Sequence, residues 1–196
     1  MVRASLQRGG WFAYRIGAGA IISSSASVLT AGYSRIAPLP GGSIELPVVS
    51  RATLGLIPTL YMRTRVAGRA VLLGTIVDCA GEPVRGAVVH LFQGDVEITS
   101  GPGAMDTFFG YFNGSRSPAP TATHTNYDGI FAGANLLPSA DASPVRVELR
   151  GVVEDGGDPV LLACEEVGLF GDGASLARLE PLRSDYRSGH GCDGRD

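Results

Sequence analysis

Residues 70–92 read AVLLGTIVDCAGEPVRGAVVHLF, and this stretch decides the fold class. The β-branched run over Ala70–Asp78 predicts one strand, and the apolar residues of Gly86–Phe92 predict a second. In the turn between them, Gly81 permits a positive φ, and Pro83 sets φ where the chain enters the second strand. This pattern of strand, tight turn and strand indicates β structure.

The clearest alternation of apolar and charged residues is VRVELR at residues 145–150. Three apolar side chains face one way and three charged ones the other, as in a strand between a core and water. The sequence contains 28 Gly and 12 Pro but only 7% aromatic residues, which is typical of many short strands joined by turns. We therefore predict an all-β fold, namely an antiparallel β-sandwich of about seven strands with an irregular N-terminal arm.

Charge divides the chain near residue 70. Residues 1–70 contain eight arginines and one acidic residue, whereas residues 71–196 contain eight arginines and 18 acidic residues. The acidic part has no basic footprint for nucleic acid, and the arginines of the basic part are dispersed among apolar residues. No apolar run approaches the roughly 18–20 residues of a membrane helix. We therefore predict neither a nucleic-acid partner nor a transmembrane span.

The same change in composition suggests a division into segments. We predict an N-terminal arm or linker at residues 1–69, with extended pieces that include a strand over Leu60–Val66. A sandwich domain follows at residues 70–182, and a polar, Gly-rich tail at residues 183–196. Alternatively, the arm belongs to a subunit of a larger assembly and orders only on a partner, because it has little core of its own.

The first 31 residues allow two interpretations. Arg3 and Arg8 precede a short apolar patch at Ile16–Ile22, and small residues follow at 25–27, as in a degenerate secretory leader. Arg15 next to the patch instead favours an irregular arm of the native protein. Both interpretations remain open, and we predict an extracytoplasmic location, that is, a secreted, periplasmic or cell-surface protein.

Two segments carry a family resemblance. GTIVDCAGEPVRGAVVHL at residues 74–91 resembles the opening of carboxypeptidase-regulatory-like domains, which are transthyretin-like or prealbumin-like β-sandwiches. TNYDGIF at residues 125–131, followed by Leu-Pro at 137–138 and the strand at 145–149, resembles their second half. The resemblance covers residues 70–151 and includes a long insertion.

This family consists of non-catalytic modules of secreted and envelope proteins. The resemblance therefore implies a structural or binding role, a protein partner or further subunits of an assembly, and no cofactor. It assigns turn-forming roles rather than chemistry to its matching residues. These residues are Asp78, Gly81, Pro83, Gly86, Asp128 and Gly129.

The loops at residues 93–124 and 153–159 are the expected contact surfaces, because loops on a rigid sandwich carry recognition. The first loop contains four aromatic residues that fit interface anchors, although the same residues also fit a buried strand. They are Phe108, Phe109, Tyr111 and Phe112. Whether the protein binds a small molecule or a glycan is left open by the sequence.

The three cysteines lack metal-site spacing. Cys79 follows one predicted strand and Cys164 lies at the end of another, so a disulfide between them fits an oxidising compartment. Two buried thiols are the alternative. The three histidines are dispersed, and His90 alternates with buried neighbours, so we predict that it points away from the core. We predict no metal site and no catalytic residues.

One enzyme class shares the resembled sandwich. Hydroxyisourate hydrolases carry a C-terminal Tyr-Arg-Gly-Ser signature, and this chain has Tyr-Arg-Ser-Gly at residues 186–189. Those enzymes place a catalytic histidine where this chain has Thr75, and a threonine hydroxyl is no general base near neutral pH. We therefore predict that the chain is not an enzyme, and keep this hydrolase as an alternative.

Overall fold

A computed structural model describes residues 12–16, 21–22, 25–26, 30–34, 48–78, 80–101, 106–115, 117–139, 144–151 and 157–180. For the segments before residue 48 it describes the backbone only, apart from Thr30. The described elements are β1 (Phe12–Ile16), β2 (Ile21–Ile22), β3 (Ser25–Ala26), β4 (Thr30–Ser34), α1 (Arg51–Leu60), β5 (Ala70–Ile76), β6 (Val88–Gln93), β7 (Val96–Glu97), β8 (Phe108–Phe112), β9 (Pro118–Ala119), β10 (Ile130–Leu136), β11 (Val145–Gly151), β12 (Val160–Val167) and β13 (Ala174–Leu179).

Two sheets pack face to face, which confirms the predicted all-β class. One sheet has seven strands in the order β1-β4-β13-β5-β10-β8-β9, and the other has four in the order β12-β11-β6-β7. A separate pair joins β2 and β3. Most strand pairs are antiparallel, whereas β13 runs parallel to both β4 and β5. The described strands also outnumber the seven predicted, since short strands extend both sheets.

The interior between the two sheets contains the side chains that the alternation predicted. Val145, Val147 and Leu149 of β11 are fully buried, and their charged neighbours lie on the opposite face. Phe131 belongs to the same cluster, which also contains residues of β5, β6 and β13. Burial of this apolar cluster is the main stabilising contribution to the sandwich.

The strand predicted over Leu60–Val66 is wrong, because Leu60 is the last residue of the helix α1 and residues 61–66 form a turn and irregular chain. Ser50 caps the helix N-terminus, and its hydroxyl accepts a hydrogen bond from the Thr53 amide at 3.0 Å. Leu54 and Ile57 are buried on the face of the helix that packs against the seven-stranded sheet. Gly55 and Pro58 conceal this periodicity, because both residues are unfavourable inside helices.

The helix explains why the sheet of seven strands tolerates apolar residues on both faces. Val71, Ala132 and Ala134 lie on its outer face and pack under α1 in a second apolar cluster. The N-terminal arm predicted for residues 1–69 is therefore, in the residues described, partly a component of the sandwich. It supplies α1 and also β1 and β4, which extend the sheet beyond β13.

Gly55→Ala should stabilise the protein. A β-carbon built on Gly55 meets nothing within 4 Å, and its backbone is helical, so alanine adds no clash and removes conformational freedom from the unfolded chain. We expect the free energy of unfolding to rise by about 0.5–1 kcal/mol in urea denaturation. No change or a loss would contradict the helical assignment of this residue.

Candidate functional site

The predicted turn residues adopt turn geometry. Gly81 and Gly129 have φ values of 88° and 62°, in the region that favours glycine. One carboxylate oxygen of Asp78 accepts hydrogen bonds from the amides of residues 80 and 82, at 2.8 and 2.9 Å. A carboxylate oxygen of Asp128 likewise accepts a hydrogen bond from the Ile130 amide at 3.2 Å. The remaining two residues also lie in this region: Pro83 forms a bridge with Val77, and Gly86 has a φ of 83°.

The aromatic residues proposed as interface anchors lie in the packing of the protein. Phe108, Tyr111 and Phe112 are buried in β8, and Phe109 is half-buried against the inter-sheet core. The side chains of β8 alternate between the two apolar clusters, so both of its faces are covered. They are therefore unavailable as a contact surface, and the buried-strand alternative holds for these four residues.

Two tyrosine hydroxyls in this region serve the fold. The Tyr111 hydroxyl accepts from the Val89 amide at 3.0 Å and thereby joins the two sheets. The Tyr61 hydroxyl donates to the Tyr111 carbonyl at 2.9 Å. Burial raises the pKa of both phenols, and the charge of Asp128 raises the pKa of Tyr61 further. Both hydroxyls stay protonated at neutral pH and act as hydrogen-bonding groups.

The two described histidines, His90 and His124, contact different partners. His90 points away from the core, as predicted, and its Nδ1 lies 2.6 Å from a carboxylate oxygen of Glu97. His124 contacts Thr123, and His190 lies outside the described residues. Within the described part of the chain, no three His, Cys, Asp or Glu residues are placed to hold a metal ion.

One distinctive surface is the outer face of the four-stranded sheet. Cross-strand pairing places Phe92 beside Arg146, and His90 beside Glu148. The guanidinium of Arg146 lies 4.5 Å from the centre of the Phe92 ring, which is a cation–π contact. We call this surface the charged face and define it by His90, Phe92, Glu97, Arg146, Glu148 and Arg150.

Glu148 is the centre of the charged face. Arg146 donates to one of its carboxylate oxygens at 2.8 Å, and Arg150 donates to the other at 3.1 Å. The Glu148 side chain is only 9% exposed and that of Arg146 only 14%, although both point away from the core. The alternation predicted these residues as a solvated face, and the sequence carries no signal for their burial.

A second distinctive surface is apolar. Leu56 and Leu60 of α1 and Met62 just after it are 53%, 39% and 81% exposed. We call these three residues the α1 patch. Met62 has a φ of 56°, a conformation that disfavours a residue with a β-carbon. The spacing of Leu56 and Leu60 would have revealed the patch, had the helix been recognised.

The segment that contains the α1 patch is basic in sequence, and two of its arginines contact the sandwich. Residues 48–69 contain four arginines and no acidic residue. Arg63 donates to the Gly101 carbonyl at 2.8 Å, and Arg65 pairs with Asp172. The Gly68 amide and the Arg65 guanidinium lower the pKa of Asp172. These contacts attach the segment after α1 to the sandwich and so hold the patch in place.

No family model, no curated protein and no solved structure matches the chain. The resemblance to carboxypeptidase-regulatory-like domains therefore stays a prediction that rests on the two quoted segments. In the described residues, no helix combines the length and the apolar character needed to cross a membrane.

Cys164 is disulfide-bonded. Cys79 and Cys192 both lie outside the described residues, so the predicted pairing of Cys164 with Cys79 stays a prediction. Thr75, which stands where the hydrolases have a catalytic histidine, is exposed in β5. The Tyr-Arg-Ser-Gly segment at residues 186–189 also lies outside the described residues.

Proposed function

We propose that this chain is a non-catalytic binding module of an extracytoplasmic protein or assembly and that it contacts a protein partner through the α1 patch. The observation that carries the proposal is the exposure of three large apolar side chains on and beside one short helix. Adjacent exposed apolar residues on a soluble domain mark contact surfaces.

The fold supports a recognition role. The helix is held against the sheet by its buried face, so the α1 patch is presented on a rigid support. The positive φ of Met62 belongs to the cap that ends α1, in which the Arg63 amide donates to the Pro58 carbonyl at 2.9 Å, so the position of Met62 is fixed relative to the helix. The histidine and tyrosine side chains that could serve in acid–base chemistry are, where described, engaged in structural hydrogen bonds or dispersed.

The side chains of the α1 patch indicate what kind of partner surface would bind it. Apolar side chains bury best against apolar ones, and Arg51, which is exposed at the start of the same helix, favours an acidic group in the partner. The partner is thus a protein with an apolar contact surface and an acidic group beside it. The disulfide of Cys164 fits an oxidising compartment and supports the extracytoplasmic location.

Site-specific photo-crosslinking in the native host tests this proposal. A benzophenone amino acid replaces Leu56 or Leu60 in the α1 patch, and in a matched control it replaces the exposed Tyr127. We expect one protein adduct of the same mass from both patch positions and none from the control. Leu56→Asp should abolish the adduct formed from position 60, because it places a charge in the apolar contact.

Three outcomes would count against the proposal. They are no adduct from either patch position, an adduct that also forms from position 127, and adducts with lipid alone. The last would mean that the patch faces a membrane surface instead of a protein. Circular dichroism on each variant confirms that the sandwich is intact.

A turnover assay with hydroxyisourate tests the non-catalytic part of the proposal. We expect the purified chain to leave the spontaneous rate unchanged, because Thr75 cannot replace a catalytic histidine. Turnover that is abolished by Tyr186→Ala would instead establish the transthyretin-like hydrolase. The crosslinking and turnover results are independent of each other, so each part can fail separately.

A further inference from the structure

We propose that Asn113 carries an N-linked glycan. Residues 113–115 read Asn-Gly-Ser, which is the acceptor motif for this modification, asparagine followed two positions later by serine or threonine with no proline between them. The chain contains three asparagines, and neither Asn126 nor Asn135 has a serine or threonine at that distance. The inference rests on the extracytoplasmic location in the proposed function, because the motif is used in secreted proteins.

The motif lies in a turn at the surface of the sandwich. It follows β8 and precedes β9, which is the edge strand of the seven-stranded sheet. Gly114 and Ser115 are exposed, and Asn113 is half-buried. A glycan is bulky and hydrophilic, so a site must lie at the surface to hold one without displacing the core. This turn meets that requirement.

The two polar atoms of the Asn113 side chain have different roles. Oδ1 accepts hydrogen bonds from the Ser115 amide at 2.9 Å and from the Ser117 amide at 3.0 Å. The Asn113 backbone amide donates to the Ser117 carbonyl at 2.8 Å and closes the turn. Within the described chain, Nδ2 makes no hydrogen bond and is not buried. The atom that bears an N-linked glycan is therefore the one that the fold leaves open to solvent.

Attachment of a glycan preserves the contacts of the turn. Nδ2 attacks the anomeric carbon of an oligosaccharide that is linked to a polyprenyl pyrophosphate. A bond forms between Nδ2 and that carbon, the bond from the carbon to the phosphate oxygen breaks, the polyprenyl pyrophosphate leaves and Nδ2 loses one of its two protons. The side chain remains an amide, so Oδ1 still accepts from the amides of residues 115 and 117.

Packing also fixes the position of the turn. A β-carbon on Gly114 would lie 3.3 Å from the β-carbon of Tyr127, so the turn is in close contact with the neighbouring loop. Tyr127 is itself 67% exposed, and its hydroxyl accepts from Arg85 at 2.7 Å. The glycan would thus extend into solvent from a defined position on the sandwich.

A glycan at Asn113 would protect the edge of the seven-stranded sheet. β9 has only two residues, and one of them is Pro118, which has no amide hydrogen to donate to another strand. Short edge strands and prolines are features that prevent sheets from pairing edge to edge. A hydrated group at the adjacent turn would add to this protection by keeping other chains away from the edge.

Glycosidase treatment of the chain purified from its native host tests the inference. In water enriched with heavy oxygen, peptide N-glycosidase converts a glycosylated asparagine into an aspartate that carries the heavy isotope. Trypsin places Asn113 in residues 86–116, and the other two asparagines in residues 117–146. We expect the label in fragment 86–116 alone, and only after enzyme treatment.

Two results of this experiment would overturn the inference. One is a fragment 86–116 that remains unlabelled after enzyme treatment. The other is the same amount of label after incubation in heavy water without the enzyme, which would mean spontaneous deamidation of the Asn-Gly sequence.

Substitutions of Ser115 provide matched variants. Ser115 contributes its backbone amide to the turn, and its hydroxyl forms no hydrogen bond to the part of the chain that the structure describes. Ser115→Ala therefore removes the motif but keeps Asn113 and its contacts, whereas Ser115→Thr keeps the motif as well. We expect Ser115→Ala to lose the glycan mass completely and Ser115→Thr to retain it. A glycan mass that persists in Ser115→Ala, or is lost in both variants, would contradict the assignment to Asn113.

Fractionation of the host cells distinguishes failure of this inference from failure of the proposed function. An unmodified chain outside the cytoplasm overturns the glycan site alone. An unmodified chain in the cytoplasm overturns the proposed location as well. The crosslinking of the α1 patch is a separate readout, because it does not depend on Asn113.

Discussion

Phe131→Ala is expected to lower the free energy of unfolding by about 3–5 kcal/mol, the largest effect that we predict. Phe131 is fully buried between the sheets and packs against Tyr111 and Phe109. Removal of the ring deletes apolar contacts and leaves a cavity that two sheets cannot close without shifting. Urea denaturation followed by circular dichroism measures the loss.

Gly74 makes this prediction more specific. Gly74 lies directly opposite Phe131, and a β-carbon there would lie 1.9 Å from the end of the Phe131 ring. Gly74→Ala should therefore destabilise the protein by about 1–3 kcal/mol or more. In the Phe131→Ala background the added methyl group has room, so the same substitution should cost much less.

A double-mutant cycle provides the control for this pair. We expect the loss in the double variant to be smaller than the sum of the two single losses. Additive losses would mean that the ring does not occupy the space above Gly74. Leu56→Ala on the exposed side of α1 serves as a matched truncation outside the core, with little expected change.

Asn135→Ala is expected to lower the free energy of unfolding by about 3 kcal/mol, the second large effect. Asn135 occupies a bulge of β10 and has a φ of 56°. Its side-chain oxygen accepts from the Val66 amide at 3.0 Å, and its nitrogen donates to the Thr64 carbonyl at 3.0 Å. Alanine leaves both backbone groups without this partner and disfavours the backbone conformation.

Asn135→Gly separates these two causes. Glycine accepts the positive φ but makes no side-chain hydrogen bonds, so we expect a loss that is smaller than for alanine by about 1 kcal/mol. Denaturation of both variants in parallel gives the difference. Equal losses would mean that the backbone conformation carries no cost, and no loss in either variant would contradict the role of Asn135 in holding the segment after α1.

Local sequence patterns were sufficient to predict several strands and turns of the fold. The alternation at residues 145–150 identified a strand with one buried face, and the turn at Asp78–Pro83 has the geometry that its residues favour. These features depend on neighbours in sequence, which is the information that a pattern contains. The same reasoning did not find α1, because Gly55 and Pro58 obscure its periodicity and its stability comes from packing on the sheet.

Whether a residue is buried or exposed depended on contacts with residues that are distant in sequence. The aromatic residues of β8 could anchor an interface or fill a core, and only the covering of both faces by α1 and the second sheet decided between these roles. Glu148 reads as a solvated charge in its strand, yet it is buried between two arginines. Exposure depends on what covers a residue, which its neighbours in sequence do not specify.

The sequence by itself determined the β class of this protein, its tight turns and the division of β11 into a core side and a charged side. The tertiary structure decided that β13 inserts parallel between β4 and β5, that α1 covers one sheet and that Cys164 faces outwards. The physical reason is that strand alternation and turn geometry are properties of adjacent residues. Strand order, burial and the direction of a cysteine arise from non-local contacts that form only when the whole chain folds.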